Sequence, residues 1–206
     1  MEQKSKNPIR DLHPNIWAVS LTSFLMDISS EMVLNILPLF LSSVLGVRTN
    51  IIGIIEGIAE ATSSVLKVFS GWLSDKLRSR KWLAVTGYAI SALAKPFFYF
   101  ANTWSSIGAI RWADRVGKGV RTAPRDALVA DTVKHEQRGF AFGLHRAADT
   151  AGAMIGILIA ALVVWKFQSA GSSLQESTFR AIVLVSIIPA ILAVISLAVM
   201  TKERKP

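Results

Sequence analysis

Apolar residues in this chain come in blocks of about 20, each long enough to cross a ~30 Å hydrocarbon core at 1.5 Å per residue. Short polar segments separate the blocks. The pattern predicts six helices, at 16–45, 51–73, 82–101, 105–131, 139–164 and 180–200, with Pro38 near the far end of the first. Residues 1–15 form a polar leading segment, and 201–206 begin a polar tail. The expected fold class is all-α integral membrane. The first apolar block contains Asp27 and Glu31, which a cleaved signal peptide would not, so no targeting sequence is expected.

The block at 105–131 breaks the pattern because it reads RWADRVGKGVRTAPRDALVAD from Arg111 onward. At 100° per residue, Arg111, Asp114, Arg115, Lys118, Arg121, Arg125 and Asp126 fall within an arc of about 140°. The opposite side is apolar and rich in small residues, including Gly117, Gly119, Ala123 and Ala127, which permit close helix packing. A charge facing lipid costs roughly 2.5–3.5 kcal/mol on insertion scales. Such a face must therefore line a wet cavity or pair with neighbouring helices.

Neighbours of suitable charge exist. Helix one offers Asp27 and Glu31, and helix two Glu56, Glu60 and Lys67, the latter three within about 40° of one another. Helix three has Lys95 beside Pro96, and helix five has Arg146 and Asp149. For single residues, a buried ion pair that fixes helix position explains the charge as well as a functional role does. For the whole set a hydrated polar path is favoured, because ion pairs are a poor route to stability compared with apolar packing.

Composition agrees with the membrane assignment. Hydrophobic residues make up 51% of the chain and charged residues 18%, against about 25% charge in soluble domains. Mean hydropathy is +0.43. There is no Cys, so disulfides, thiolate metal sites and Cys nucleophiles are excluded. The net charge of +9 is first a topology signal. Basic residues gather at Lys4, Lys6 and Arg10, at Lys76, Arg78, Arg80 and Lys81, at Lys134 and Arg138, and at Lys202, Arg204 and Lys205. The alternate loops hold only Arg48, Lys166 and Arg180. This asymmetry predicts that both termini are cytoplasmic and that 105–131 crosses the bilayer, since five spans would put the basic tail outside. On these depths Arg115, inside the membrane, matters more than Arg80, in a solvated loop.

Catalytic and nucleotide motifs are missing. HEQRG at 135–139 has Gly139 where a zincin needs its second His, no GxSxG occurs, and Gly117-Lys118-Gly119 lacks the first Gly of a Walker loop. Neither an enzyme, a cofactor, a metal nor a nucleic-acid partner is expected. Gradient-driven transport fits these exclusions. Carboxylates in a partly dehydrated path can carry protons, and Asp27, Glu31, Glu56 and Glu60 are candidates. The basic excess of helix four suits an anionic group, with Arg111, Arg115 and Lys118 deepest.

Gly71-Trp-Leu-Ser-Asp75-Lys-Leu-Arg-Ser-Arg80-Lys81 resembles the loop signature of the major facilitator superfamily, GxLxD(R/K)xGR(R/K). Gly71, Leu73, Asp75, Lys76 and Arg80 match, while Arg78 stands where the family usually has Gly and Ser79 where it usually has Arg. Arg115-Val-Gly-Lys-Gly119 is similar to the family's RxxxG pattern on helix four. Asp131 with Arg138-Gly139 looks like a weaker repeat of the loop signature. Gly152-Ala-Met-Ile-Gly156 resembles part of the antiporter signature, with Ile157 where that signature has Pro. The GKGVRTAPRDALVAD wording looks like a prokaryotic branch of mostly unassigned substrate.

The resemblance implies a twelve-helix fold of two six-helix halves around a central path, each half being two inverted three-helix repeats. The chain then corresponds to an amino-terminal half, with 201–206 beginning the central cytoplasmic linker. Gly71, Asp75, Lys76, Arg80, Asp131 and Arg138 would form a cytoplasmic gating loop that braces the closed path against the other half. The implied protein is a secondary transporter (a permease), proton- or ion-coupled, of a small solute, in the inner membrane among lipid. Its partner would be a second six-helix half or a second copy. The alternative is a structural half-subunit without transport of its own.

Overall fold

The computed structural model describes residues 12–168 and 174–203. The leading basic residues Lys4, Lys6 and Arg10, the loop around Gly171, and Arg204 and Lys205 lie outside the described residues. Seven α-helices are described: α1 Pro14–Leu34, α2 Leu37–Ser43, α3 Thr49–Leu77, α4 Arg80–Phe100, α5 Trp104–Thr132, α6 Arg138–Phe167 and α7 Glu176–Met200. A 3-10 turn, His135–Gln137, leads into α6.

The block expected as one helix at 16–45 is two. Proline has no N–H to give to the carbonyl four residues back, and its ring crowds that carbonyl. Pro38 therefore cannot continue α1, and the chain breaks at Asn35 and Ile36 before resuming as α2. The loop expected between 73 and 82 shrinks to Arg78 and Ser79. Arg78 ends α3 in the left-handed conformation, at φ 50° and ψ 32°. Arg80 and Lys81 are therefore helical residues of α4, not loop residues. At the other end of α4, Thr103 and Ser106 form a reciprocal capping box that starts α5.

Helix α5 packs between α3 and α4, α1 packs on α6 and α7, and α4 meets α7. Small residues set these approaches. A Cβ at Gly117 would strike the Gly87 carbonyl and Ser91 of α4. One at Gly119 would strike Ser63 and Leu66 of α3, and Cβ atoms at Gly152 and Gly156 would strike the Phe24 and Ile28 carbonyls of α1. Between α1 and α7, where no glycine serves, small hydroxyls bond across: Thr22 with Ser196 at 2.7 Å, and Ser29 to the Ser186 carbonyl at 2.5 Å.

Two apolar clusters fill the ends of the bundle. One gathers Met32, Leu37, Phe40, Phe98, Ile107, Phe179 and Ile182, with the Phe40 and Phe179 rings stacked at 4.0 Å. The other gathers Ile16, Val19, Tyr88, Leu128, Val129, Ala190 and Leu197. Along the chain, Asp27, Lys95 and residues 111–125 fall between the two clusters, so the charged residues form a middle layer. The outer surface is apolar, with Val68, Phe69, Trp72, Leu93, Phe97, Phe100, Trp165, Ile188 and Val199 all more than half exposed. Such a surface belongs in lipid. Among the described residues, four stretches are long and apolar enough to cross a membrane: Pro14–Ser43, Arg80–Phe100, His135–Phe167 and Glu176–Met200. Helices α3 and α5 have 29 residues each, about 43 Å, long enough to cross but less apolar than these four.

Candidate functional site: a polar middle layer

The structure divides the expected charged residues into two groups. The first is a ladder between α3 and α5. The Arg111 guanidinium donates to both carboxylate oxygens of Glu56, at 2.9 and 2.6 Å, and lies 3.4 Å from Asp114 Oδ2. One turn on, Arg115 Nε lies 3.4 Å from Glu60. The two helices run parallel, so Glu56, Glu60, Ser63 and Gly71 meet Arg111, Arg115, Gly119 and Ala123 in chain order. Spacing of i and i+4 on both helices puts each pair on one seam. Arg111 and Asp114 are buried, and Asp114 Oδ1 has no hydrogen bond among the described residues.

The second group surrounds a cavity of about 210 Å³. Asp27 of α1, Lys67 of α3, Lys118, Arg121, Thr122 and Arg125 of α5, and Arg146 and Asp149 of α6 line it. Several of these side chains are held in place. Arg121 donates to Ser91 Oγ at 2.6 Å and lies over the Tyr88 ring at 4.6 Å. Arg125 donates twice to Asp126 Oδ1, at 3.0 and 2.9 Å, and once to Ser23 Oγ at 3.1 Å. Ser23 in turn bonds the Tyr88 hydroxyl at 2.8 Å. Arg146 lies 3.6 Å and His145 3.7 Å from Asp149 Oδ2. The side chains of Lys67 and Lys118 make no hydrogen bond or ion pair among the described residues.

Other expected residues sit elsewhere. Lys95, wholly buried, reaches from α4 to Ser30 Oγ of α1 at 3.2 Å. Glu31 does not line the cavity, and its carboxylate instead accepts from the Asn35 amide at 2.8 Å beside the break in α1. Arg111 and Arg115, expected deepest for an anion, are engaged in the ladder, while Lys118 does face the cavity.

The loop residues form a cluster of their own. Arg80 bridges Asp75 at 3.2 Å and Asp131 at 2.6 Å, with its side chain 16% exposed. The solvated setting expected for Arg80 is thus replaced by a helix start held by two carboxylates. Glu203 completes the cluster, accepting from the backbone N–H groups of Arg80 and Lys81 at 2.9 and 3.0 Å. Gly71 faces Ala123, Lys76 lies over the Trp72 ring at 4.9 Å, and Arg138 opens α6 in an exposed position. Glu203, Ser91, Tyr88 and His145 were not singled out as site residues from sequence. Arg121 and Arg125 stood on the charged arc without a site role. Their spacing with Lys118 and Thr122 was the available signal.

Comparisons with known proteins agree with this geometry. The chain is 35% identical over 206 residues to an uncharacterised MFS-type transporter of Methanocaldococcus jannaschii, covering 99% of this chain and 49% of the relative. It therefore spans about half the length of that relative. Among solved structures, it is similar to a bacterial homologue of the human lysosomal transporter Spinster in an inward-facing, occupied conformation. The TM-score is 0.76 at 15% identity, covering 93% of this chain and 44% of that one. It is also similar to a D-xylose–proton symporter, with a TM-score of 0.70 at 12% identity, covering 92% and 48% respectively. The family model of the Major Facilitator Superfamily matches residues 19–206. A multi-pass bundle with apolar flanks and a charged middle layer, matched by that model over most of its length, belongs to the Major Facilitator Superfamily.

Proposed function

We propose that the chain is the amino-terminal six-helix half of a secondary transporter, and that the cavity among α1, α3, α5 and α6 is one wall of its solute path. The cavity carries this reading. Charged side chains from four helices converge on about 210 Å³ in the middle layer of a membrane protein. Intramembrane charge is retained where it lines a path or pairs with a neighbour.

Six spans follow if α1 with α2 counts as one and α3 and α5 also cross. The ladder makes this affordable for α3 and α5, because their charges face each other. The helix contacts support two inverted repeats. Exchanging the first three spans with the last three maps the α1–α6 contact onto α3–α5, maps α1–α7 onto α4–α5, and leaves α4–α7 unchanged. Both termini are cytoplasmic in this reading, and the Asp75–Arg80–Asp131 cluster lies on the cytoplasmic side of the inner membrane. Coupling to a proton or ion gradient would use carboxylates of the middle layer, with Asp27 and Asp149 at the cavity itself.

A path with one wall is open on the other side, so transport requires a second six-helix half. The matching relative is about twice as long, which supports this. The test is reconstitution in liposomes with an imposed proton gradient, with and without the second half, scoring uptake from a solute panel. Reporter fusions after Arg138 and after Gly171 read the topology. Gradient-dependent uptake by the lone chain would refute the half-transporter reading. A cytoplasm-active reporter at Gly171 would refute the span count.

A further inference from the structure

We infer that the cavity binds a small oxyanion of charge −2, a phosphomonoester or a dicarboxylate, through Lys67, Lys118, Arg121 and Arg146. As a statement about a transported solute, this rests on the path reading above.

The charge balance is the first argument. The cavity lining holds five cations against two carboxylates, Asp27 and Asp149. Arg125 is compensated by Asp126, and Arg146 lies 3.6 Å from Asp149. Among the described residues Lys67 and Lys118 form no ion pair, and Arg121 bonds the Ser91 hydroxyl and lies over the Tyr88 ring, with Asp27 and Asp114 acting on it at longer range. Three cations and one carboxylate, Asp27, therefore remain on one space, an excess of two positive charges. In the ladder nearby, Arg111 and Arg115 each meet a Glu. Two patterns thus coexist on α5, paired at one end and unpaired at the other. Lys67 and Lys118 are exposed to that space rather than closed on a carboxylate, so their charge is met by what fills it, whereas a purely structural role predicts pairing as in the ladder.

Geometry and size narrow the ligand. Arg121 is fixed by Ser91 and Tyr88, leaving the rest of its fork to present N–H groups, and a guanidinium fork matches carboxylate or phosphate oxygens. Lys67 and Lys118 arrive from different helices as flexible point charges, able to close on a second anionic oxygen. The cavity holds the volume of about seven waters. That suits a solute of phosphate or four-carbon dicarboxylate size. Asp27 and Asp149 disfavour a larger anionic surface on the α1–α6 side, which makes Lys67, Lys118 and Arg121 of α3 and α5 the main anion contacts and Arg146 the one cation that reaches in from α6.

The experiment uses the complete transporter, second half included, in detergent. Thermal stability and calorimetric binding are measured with inorganic phosphate, succinate, glycerol and choline at one ionic strength set with chloride. Phosphate or succinate should bind saturably, and glycerol and choline should not. The phosphate and succinate arms tell a phosphoester site from a dicarboxylate site. Lys67→Gln and Lys118→Gln should each weaken binding about tenfold, and Lys166→Gln, on the exposed end of α6, should leave it unchanged. Variants are compared only where their ligand-free melting matches the parent, and Arg146→Gln is the substitute if either fails. Binding of neither anion, or anion binding indifferent to both lysines, overturns the inference. Uptake of a neutral or cationic solute without anion binding would sink it while leaving the transport reading intact. Anion binding without any gradient-dependent uptake would sink the transport reading instead.

Discussion

The Arg111–Glu56 pair offers the sharpest test of the ladder. The Arg111 side chain is 3% exposed and Asp114 beside it 6%, while Glu56 is 36% exposed. Removing the arginine and removing the glutamate are therefore unequal perturbations. Arg111→Ala leaves the Asp114 carboxylate buried, with Oδ1 already lacking a hydrogen bond and Oδ2 losing its partner. Stranding a buried charge costs about 3–5 kcal/mol. Lys95, the cation acting most strongly on Asp114, remains and sets the lower end of that range. Glu56→Ala leaves Arg111 still facing Asp114, and its own site is partly open. Its cost is the loss of one bidentate ion pair, screened by solvent on the Glu56 side, about 1.5–3 kcal/mol. In a chain of this size 1 kcal/mol moves the melting point by about 2–4 °C. Arg111→Ala should then lower it by roughly 6–20 °C in detergent, read by tryptophan fluorescence. The double variant should fall short of the sum of the two singles by about 1–3 kcal/mol, because the same bonds are counted in both. A loss under about 2 °C for Arg111→Ala, or strict additivity, would refute the ladder.

Three further outcomes follow from local geometry. Gly156→Ala should destabilise by about 1–3 kcal/mol despite the better helix propensity of alanine, because its Cβ would meet the Ile28 backbone carbonyl; Gly108→Ala, whose Cβ meets only Ile55 side-chain atoms at 3.5 Å or more, should be neutral or stabilising in the same melting assay. Arg78→Gly should raise the melting point by about 1–3 °C, since glycine carries no penalty in the left-handed conformation and the arginine is exposed; a fall would refute backbone strain there. Arg80→Ala should cost more than Arg115→Ala, about 1–3 against 0–1 kcal/mol, because Arg80, covered to a similar extent, bridges two carboxylates with one of them at 2.6 Å, whereas Arg115 lies 3.4 Å from a single Glu that is 59% exposed; the reverse order would refute the bridge.

Much of this architecture is readable along the chain. Block lengths place α3 to α7 to within about four residues at each end, while the first block overruns α1, and the angular pattern of α5 isolates its charged side. What periodicity misses is the effect of single residues on the backbone. Pro38 forbids a helix through Leu34 by removing one donor and crowding one carbonyl. Arg78 takes a conformation that favours glycine, so the basic segment after α3 contracts and Arg80 becomes the start of α4. The departure from the loop signature at Arg78 was visible, but sequence alone could not show that the fold keeps the glycine-type turn without the glycine. His145 stands four residues before Asp149 on α6, so spacing alone offered that contact, but not the burial of the His145 side chain.

The candidate site was legible in direction but not in depth. Glu56, Glu60 and Lys67 share one angular sector of α3, which suggested a common role. Lys67 lies seven residues beyond Glu60, about 10 Å along the axis, and that displacement separates the ladder from the cavity. Axial register between α3 and α5 then decides which arginines find acids. Arg111 and Arg115 fall level with Glu56 and Glu60. Lys118 and Arg121 fall level with the small side chains around Ser63 and Ser70, where Gly119 draws α3 close and Ser70 bonds the Gly119 carbonyl at 2.9 Å. No acid on α3 stands at that level to neutralise them. The same close approach that fixes the two helices thus turns the positive charge of α5 toward α1 and α6, where Asp27 and Asp149 offset it only in part, and this is where the cavity lies.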